Sequence, residues 1–438
     1  METPICNFVR KYAESEAIRL HMPGHKGKNI LGLEALDITE IDGADSLYEA
    51  NGIIRQSEEN AGRLFGCPTF YSTEGSSQCI RAMLYLAMLH AKEQGKRPVI
   101  AAGRNAHKTF LTGAALLDLD VRWLYPKNGG SYLSCDLTAE EVEAALEKEV
   151  PTAVYLTSPD YLGNMADIAG IAEACHRHGA ILLVDNAHGA YLKFLRPSRH
   201  PMDLGTDLCC DSAHKTLPVL TGGAYLHCTE KFRDWAKNAL ALFGSTSPSY
   251  LILQSLDGAN PCLASLTDRL TKFVPCVEAV KEKLTENGYT LYGQEPLKIT
   301  ISAKSYGYTG RELAKILLKR NIVSEFADPD FLVLMLTAKN GQAELDALEN
   351  AMLSIPGKVP ILEQPPRFWP GQRVCSAREA MLSPMEEIPV EKSEGRVLAA
   401  ATVGCPPAVP IVVSGERIDA HTIGCFRYYG VTHCSVMK

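Results

Sequence analysis

The pattern of apolar and polar positions divides the chain near residue 57. From about 57 to 230, short apolar runs alternate with stretches of helical periodicity, which is typical of βαβ units around a mostly parallel sheet. The predicted strands lie, in chain order, at 97–102, 121–125, 153–158, 180–185, 207–212 and 223–228. The predicted helices lie at 76–92, 107–117, 138–148 and 168–178. This pattern predicts a doubly wound α/β domain, in which ligands bind at the carboxyl ends of the strands.

The flanking parts follow other patterns. Residues 1–56 have little periodicity but contain HMPGHKG at 21–27, and we predict an N-terminal arm. From about 290 the alternation loosens, and a proline-rich break at 364–370 precedes a helix-containing portion and a tail with Cys405-Pro406-Pro407. The predicted parts are an arm (1–56), a large domain (57–289) and a smaller C-terminal α+β domain (290–438).

Composition narrows the class of protein. The 438 residues are 46% hydrophobic, and 44 Lys and Arg against 51 Asp and Glu give a net charge of −7 without a basic stripe. Nucleic acid is therefore not an expected partner. No apolar stretch approaches the length that spans a membrane. The 14 cysteines are scattered and follow no signal peptide, so we expect reduced thiols and a cytoplasmic protein.

Gly75, Ser76 and Ser77 open a predicted helix directly after a turn. The backbone N–H groups of a first helical turn, together with serine hydroxyls and the positive end of the helix dipole, favour binding of a phosphate group. A serine at this position is, however, more often only a helix cap. The motif becomes informative only in combination with others.

Three further residues follow predicted strands. Asp185 ends the strand AILLVD, where a carboxylate can lie beside a protonated pyridine nitrogen. His188 comes three residues later, and His107 follows another strand; an imidazole at such a place can stack on a cofactor ring or carry a proton. Taken singly, each of these residues more often has a structural role.

Lys215 follows Ser212 and His214 in the segment DSAHKTLPVLTGG. An amine at the end of a strand can form a Schiff base with an aldehyde cofactor, whereas most lysines are simply solvated. The order of a phosphate turn, His107, Asp185 and then Ser-x-His-Lys is the order that a pyridoxal 5'-phosphate (PLP) site requires. The sequence therefore predicts PLP as the cofactor, with Lys215, His214 and His107 as catalytic residues.

Other classes of site have little support. The chain contains neither a G-x-x-x-x-G-K-[ST] loop nor a G-x-G-x-x-G loop. Cys175, His176 and His178 are close in sequence, but neighbouring positions on a helix point in different directions. We therefore predict no metal site.

Seven motifs, in order, resemble those of the bacterial Orn/Lys/Arg decarboxylases of fold type I, in the short form without an N-terminal wing domain. The motifs are HMPGHKG (21–27), YSTEGSS (71–77), RNAHKT (104–109), SPDYLGN (158–164), VDNAHGA (184–190), SAHKTL (212–217) and CPPAVPIVVSGE (405–416). The resemblance covers nearly the whole chain. It implies the aspartate aminotransferase-like fold, with a three-layer αβα domain and a smaller C-terminal domain.

The resemblance also implies roles for single residues. Lys215 would carry PLP as a Schiff base, Asp185 would hold the pyridinium, and His107 would stack on the ring. The phosphate and the rest of the site would be lined by Gly75, Ser76, Ser77, His188, Ser212 and His214. The family's sites lie at a dimer interface, so the resemblance implies at least a homodimer in which STSPSY (245–250) reaches the partner's cofactor phosphate.

Three positions depart from the family pattern. Glu74 replaces a usual Asn, Asp160 a usual Thr, and Gly222 a usual Gln. We hypothesise that Asp160 or Glu74 adds negative charge near the substrate channel. The resemblance implies decarboxylation of arginine, lysine or ornithine in polyamine metabolism, without choosing among them. The alternatives are another PLP reaction, by an aminotransferase or lyase, and a non-catalytic PLP-binding regulatory homologue.

Overall fold

The computed structural model describes residues 1–127, 131–367, 370–400 and 407–438. Cys405 and Pro406 of the predicted tail lie outside these residues. The helices are α1 (Pro4–Ala13), α2 (Ile53–Phe65), α3 (Gly75–Glu93), α4 (Lys108–Leu116), α5 (Ala139–Leu146), α6 (Ile168–His178), α7 (Ala213–Thr216), α8 (Arg233–Ala241), α9 (Tyr250–Ala264), α10 (Leu266–Glu286), α11 (Gly310–Leu318), α12 (Gln342–Leu353), α13 (Ala377–Met381) and α14 (Ala420–Tyr429).

The strands alternate with the helices over most of the chain. They are β1 (Thr69–Ser72), β2 (Val99–Gly103), β3 (Asp120–Leu124), β4 (Ala153–Thr157), β5 (Ile181–Asp185), β6 (Leu208–Asp211), β7 (Ala224–Cys228), β8 (Thr290–Tyr292), β9 (Lys298–Ser302), β10 (Phe326–Ala327), β11 (Phe331–Met335), β12 (Gln372–Arg373), β13 (Met385–Pro389), β14 (Leu398–Ala400), β15 (Glu416–Arg417) and β16 (His433–Met437).

The chain divides into two compact units, each built from two separate stretches. The first unit comprises Met1–Lys96 and Ile181–Leu270, and the second comprises Arg97–Ala180 and Thr271–Lys438. The predicted domains were consecutive stretches of the chain. Their boundaries at 56 and 289 stay a prediction.

The first unit contains a mixed sheet in the order β1-β7-β6-β5. Strands β5 and β6 are parallel, whereas β7 runs antiparallel to both β6 and β1. Helices α1, α2 and α9 are joined by buried polar contacts: Asp257 on α9 accepts hydrogen bonds from the N–H of Cys6 at 2.9 Å and from the hydroxyl of Ser57 at 2.6 Å. Aromatic side chains around Phe65 fill part of its core.

The second unit begins with three parallel strands in the order β4-β2-β3. Sequence signals set its helix ends: Asp167 caps α6, and Gly179, at a φ of +76°, ends it. An antiparallel sheet β10-β11-β9-β8 and a three-stranded sheet β13-β16-β14 follow. Their apolar faces share one core, which includes Leu162, Phe331 and Val436.

Sequence periodicity predicted the strands from β2 to β7 and the helices from α3 to α6. The predicted helices at 76–92 and 168–178 correspond to α3 and α6, and each predicted strand between 97 and 228 is observed. The prediction missed helix α1 in the N-terminal arm and the sheet formed by β13, β14 and β16. In the described residues, no helix combines the length and the apolar character needed to cross a membrane.

Candidate active site

Three segments of the first unit emerge at one edge of its sheet. Because β7 is antiparallel to both β1 and β6, and β5 is parallel to β6, strands β1, β5 and β6 point the same way. Their carboxyl ends therefore lie at the same edge, beside the amino end of β7. The turn before α3, the loop after β5 and helix α7 all begin there. This topology brings together every predicted site residue except His107.

The first turn of α3 is the predicted anion site. Gly75 has a left-handed φ of +70°, and its N–H donates to the carbonyl oxygen of Gly222 at 2.7 Å. A Cβ added to Gly75 would meet nothing within 4 Å, so there is open space at this position. The hydroxyl of Ser212 donates to the hydroxyl oxygen of Ser76 at 2.7 Å. With Ser77 and the N–H groups of the first turn, these hydroxyls form a donor set suited to phosphate.

Asp185 is the last residue of β5 and is 2% exposed. Its Oδ1 accepts a hydrogen bond from the N–H of Ala187 at 3.2 Å, and the thiol of Cys210 donates to the same oxygen at 3.6 Å. Cys210 faces Asp185 in the register of β5 and β6. The carboxylate is thus buried and held in place at the end of the strand, as a partner for a protonated ring nitrogen must be.

Lys215 and His188 are in direct contact. The Nζ of Lys215, on α7, lies 3.1 Å from the Nε2 of His188, in the loop after β5. A protonated lysine amine can only donate, and in that state it donates to the Nε2 of His188. His188 is 4% exposed. The contact joins the segment of Asp185, the predicted partner of a pyridinium, to the segment of Lys215, the predicted partner of an aldehyde.

His214 is a neutral imidazole at neutral pH. Burial lowers the pKa of His214, and the adjacent charge of Lys215 lowers it further, although a hydrogen bond to Gly223 acts in the opposite direction. In that bond the Nδ1 of His214 donates to the carbonyl oxygen of Gly223 at 3.0 Å. The Nε2 atom is consequently left as a hydrogen-bond acceptor.

His107 belongs to the second unit, where it caps the N-terminus of α4. Its Nδ1 accepts a hydrogen bond from the N–H of Thr109 at 3.1 Å. The N–H of Lys108, the residue that follows His107, donates to the carbonyl oxygen of Ala408 at 2.8 Å. The C-terminal motif is therefore tied to the turn that holds His107. The stacking of His107 on a cofactor ring stays a prediction.

Asp160 stabilises a buried turn. Its Oδ1 accepts hydrogen bonds from the N–H groups of Leu162 and Asn164, both at 2.9 Å, and its Oδ2 accepts one from the side chain of Asn164 at 2.8 Å. Burial raises the pKa of Asp160, although these hydrogen bonds oppose the shift. The residue is 3% exposed. Its carboxylate is engaged within the turn, which argues against a role in adding charge to a substrate channel.

The other two departures lie next to the anion site. Glu74 is exposed and accepts a hydrogen bond from the N–H of Ser245, the first residue of STSPSY. Gly222 has a φ of +100°, and an added Cβ would lie 2.9 Å from the Cδ1 of Ile252 and 3.1 Å from the carbonyl oxygen of Thr73. The local backbone therefore disfavours the larger residue that the family pattern has at position 222.

The sequence analysis missed a buried polar cluster beside these segments. We call Asn186, His200, Asp211 and His227 the Asp211 cluster; each of the four side chains is fully buried. The available signal was that Asn186 adjoins Asp185 and that Asp211 precedes Ser212. The contributions of His200 and His227 depend on long-range pairing that no local pattern indicates.

The residues at the sheet edge match the chemistry of PLP. A phosphate fits the first turn of α3 with its hydroxyls, a protonated pyridine nitrogen fits the buried carboxylate of Asp185, and an aldehyde fits the amine of Lys215. The anionic, cationic and carbonyl parts of one small molecule each have a matching group at the same edge of the sheet. The side chains and backbone groups at this edge therefore fit PLP.

Comparison with known proteins identifies the relatives of the chain. Over 96% of its length it is 28% identical to arginine decarboxylase of Bacillus subtilis (strain 168), of which it covers 92%. It is likewise 28% identical to arginine decarboxylase of Halalkalibacterium halodurans, with 97% of this chain and 93% of the relative covered.

Solved structures show the same fold at lower identity. A lysine decarboxylase of Francisella novicida superposes with a TM-score of 0.80 at 14% identity, covering 100% of this chain and 81% of that one. Lysine decarboxylase A of Pseudomonas aeruginosa gives a TM-score of 0.80 at 16% identity, covering 99% and 80%. Residues 3–286 match the family described as Orn/Lys/Arg decarboxylase, major domain, and residues 373–435 match its C-terminal domain. The chain belongs to the Orn/Lys/Arg decarboxylase family and is an amino-acid decarboxylase of the PLP-dependent class.

Proposed function

We propose that this enzyme releases CO2 from a basic amino acid, with arginine as the first candidate substrate and lysine and ornithine as the alternatives. The observation that carries the proposal is the meeting of Lys215, Asp185 and the first turn of α3 at one sheet edge. Arginine comes first because relatives that match nearly the whole chain are named arginine decarboxylase. The amine product would enter polyamine metabolism.

The proposed cofactor is PLP. Lys215 would bind its aldehyde carbon, Asp185 would pair with its ring nitrogen, and Ser76, Ser77 and Ser212 would hold its phosphate; His188 and His214 would line the site, and His107 would cover the ring. When bound, PLP supplies an electron sink for the pair of electrons left by the departing carboxylate. The protein supplies position, charge and exclusion of water.

Each residue has a definite task in this scheme. Asp185 would keep a proton on the ring nitrogen, and its Oδ1 is held in place by the N–H of Ala187 and the thiol of Cys210. Lys215 would hold the cofactor through its Nζ and would then give up its contact with His188. His214 is neutral and its Nε2 is an acceptor, so it holds no spare proton. We therefore assign the return of a proton to the substrate Cα to the Nζ of Lys215.

The proposal includes a homodimer with shared sites and a cytoplasmic location. The resemblance to the family implies that the segment STSPSY (245–250) reaches a second copy of the chain, which is therefore the proposed partner. Ser245, Thr246 and Ser247 are exposed on the single chain, as a segment that reaches another subunit requires. Among the described residues no disulfide joins two cysteines, in keeping with a reducing compartment.

The decisive experiment measures CO2 release from carboxyl-labelled L-arginine, L-lysine and L-ornithine by the PLP-loaded protein. We expect release from one of them, with the matching amine as product, and loss of release in Lys215→Ala. Lys193→Ala is the matched control, because Lys193 is a largely buried lysine of the same unit that pairs with Asp203 instead. A keto acid product would instead indicate an aminotransferase. PLP binding without turnover of any amino acid would indicate a regulatory homologue.

A further inference from the structure

The Asp211 cluster has no assigned role, although it adjoins the candidate site. The Oδ2 of Asp211 lies 3.1 Å from the Nε2 of His200 and 3.1 Å from the Nε2 of His227. Its Oδ1 accepts a hydrogen bond from the side-chain amide of Asn186 at 2.6 Å. The cluster therefore connects β6 to β7, to the loop after β5 and to the segment around residue 200.

Asp211 is an ionised carboxylate in this setting. Burial alone would raise the pKa of Asp211, but the contacts with His200 and His227 outweigh it and hold the pKa well below the usual range. The Nδ1 of His200 accepts from the N–H of Met202 at 3.3 Å, so its Nε2 carries the proton that is donated to Asp211. Moving a buried charge away from several hydrogen-bond donors costs free energy, so the carboxylate of Asp211 is held in a fixed position.

Two segments that carry the candidate site are joined by several contacts, among them the thiol of Cys210 that donates to Asp185. The N–H of Asn186 donates to the carbonyl oxygen of Cys210 at 3.0 Å, the side chain of Asn186 donates to Asp211, and Lys215 contacts His188. The contact of Lys215 with His188 is the one that the proposed reaction gives up, because the Nζ of Lys215 is then bonded elsewhere. The side-chain contact between Asn186 and Asp211 persists, as does the longer one between the thiol of Cys210 and Asp185.

The composition of the cluster also raises the question of a metal ion. The ligand atoms of His200, Cys209 and Asp211 lie within 4.8 Å of one another. However, both oxygens of Asp211 already accept hydrogen bonds from nitrogen donors, and the amide donor of Asn186 points at Oδ1. A cation would have to displace these donors, so the geometry favours a hydrogen-bonded anion.

We propose that Asp211, through Asn186, is a positioning residue that keeps the segment of Asp185 and His188 in register with the segment of Ser212 and Lys215 while Lys215 is engaged with the cofactor. This inference rests on the proposed PLP site. Loss of a hydrogen bond to a buried charge should raise the dissociation constant of PLP roughly tenfold or more.

The test uses Asn186→Leu, which keeps the approximate volume and removes the donor, and Asn186→Asp, which places a second carboxylate against Asp211. The PLP dissociation constant is measured by absorbance titration, and the melting temperature is measured with and without PLP. We expect weaker PLP binding and a smaller PLP-induced rise in melting temperature in both variants, with the larger effect in Asn186→Asp. A purely structural role would lower the melting temperature of both forms equally.

Asp257→Asn is the matched control. Asp257 is a fully buried, hydrogen-bonded aspartate of the same unit, but it joins helices rather than the site segments. Its substitution should lower stability and leave the PLP-induced rise intact. Unchanged PLP affinity in both Asn186 variants, or a stoichiometric metal ion in the purified wild type, would overturn the inference. If the wild type itself binds no PLP, the proposed function fails instead.

Discussion

At the scale of the single residue, backbone conformation determines what the anion site tolerates. Gly222 accepts the hydrogen bond from Gly75 that fixes the first turn of α3, and it does so at a φ of +100°. Gly222→Ala should cost about 1–3 kcal/mol of unfolding free energy, because strained φ adds to the close approach of Ile252 and Thr73. Urea unfolding checks the stability, and absorbance titration should show weaker PLP binding.

Gly95→Ala provides the control at the other end of α3. Gly95 also has a positive φ, of +67°, but an added Cβ would meet nothing within 4 Å. Its substitution should therefore cost only about 1 kcal/mol, the conformational part alone, and should leave PLP affinity unchanged. Equal losses of stability and affinity in the two variants would mean that the contacts at Gly222 do not matter.

His227 makes the stability of the protein depend on pH. Burial would lower the pKa of His227, but the charge and hydrogen bond of Asp211 outweigh burial and raise it. The folded-state pKa thus lies above the unfolded value of about 6.5. The stabilisation by protonated His227 is complete below that value and is lost as the pH rises through the folded-state pKa.

The corresponding measurement compares wild type with His227→Gln by urea unfolding from mildly acidic to mildly alkaline pH. The difference in unfolding free energy should be largest at the acidic end and should shrink as the pH rises. Asp211 contributes no slope here, because its lowered pKa keeps it ionised throughout. A difference that stays constant or grows with pH would show that His227 is neutral in the folded protein.

At the scale of the element, a buried ion pair fixes the C-terminal motif within the second unit. Arg104 follows β2 and lies 3.6 Å from Glu416 of β15, and both side chains are at least 95% buried. The guanidinium of Arg104 also donates to the carbonyl oxygens of Pro410 and Ile411 at 2.9 and 3.2 Å. This pair thereby holds the described part of the motif against the β2–α4 connection, where His107 lies.

Arg104→Met should reduce the unfolding free energy by about 3–5 kcal/mol, because it leaves Glu416 buried without its cation. The double variant Arg104→Met with Glu416→Met should lose less than the sum of the two single variants, because it leaves no unpaired charge. A double-mutant cycle by urea unfolding measures this coupling. Strict additivity would mean that the two side chains do not interact.

Elements with local signals were predictable, and those built from distant pairings were not. Helix α6 lies where the sequence placed it, because Asp167 and Gly179 mark its two ends. The three-stranded sheet of β13, β14 and β16 combines short strands from separate stretches of the last 54 residues, so no single apolar run indicates it. Lys215 and Asp185 were predicted because they lie in local motifs. His200 and His227 were not, because they reach the cluster only through long-range pairing.

At the scale of the whole molecule, the proposed function divides each site between two copies of the chain. If STSPSY (245–250) of one subunit binds the cofactor phosphate of the other, two inactive variants should complement each other. Lys215→Ala removes the attachment point, and Ser247→Asp places a negative charge on an exposed position of the segment. A mixed dimer then contains one site with both parts intact.

Random mixing of the two variants through a dissociation step should make about half of the dimers mixed, and one of the two sites in each mixed dimer is intact. The mixture should therefore recover about a quarter of wild-type CO2 release, although each variant alone is inactive. The control mixes Lys215→Ala with Asp185→Ala, two changes on the same side of the site. In that mixed dimer the Lys215→Ala subunit spoils one site and the Asp185→Ala subunit spoils the other, so no activity should return. Recovery with this control pair, or none with the first, would place the segment in the site of its own subunit.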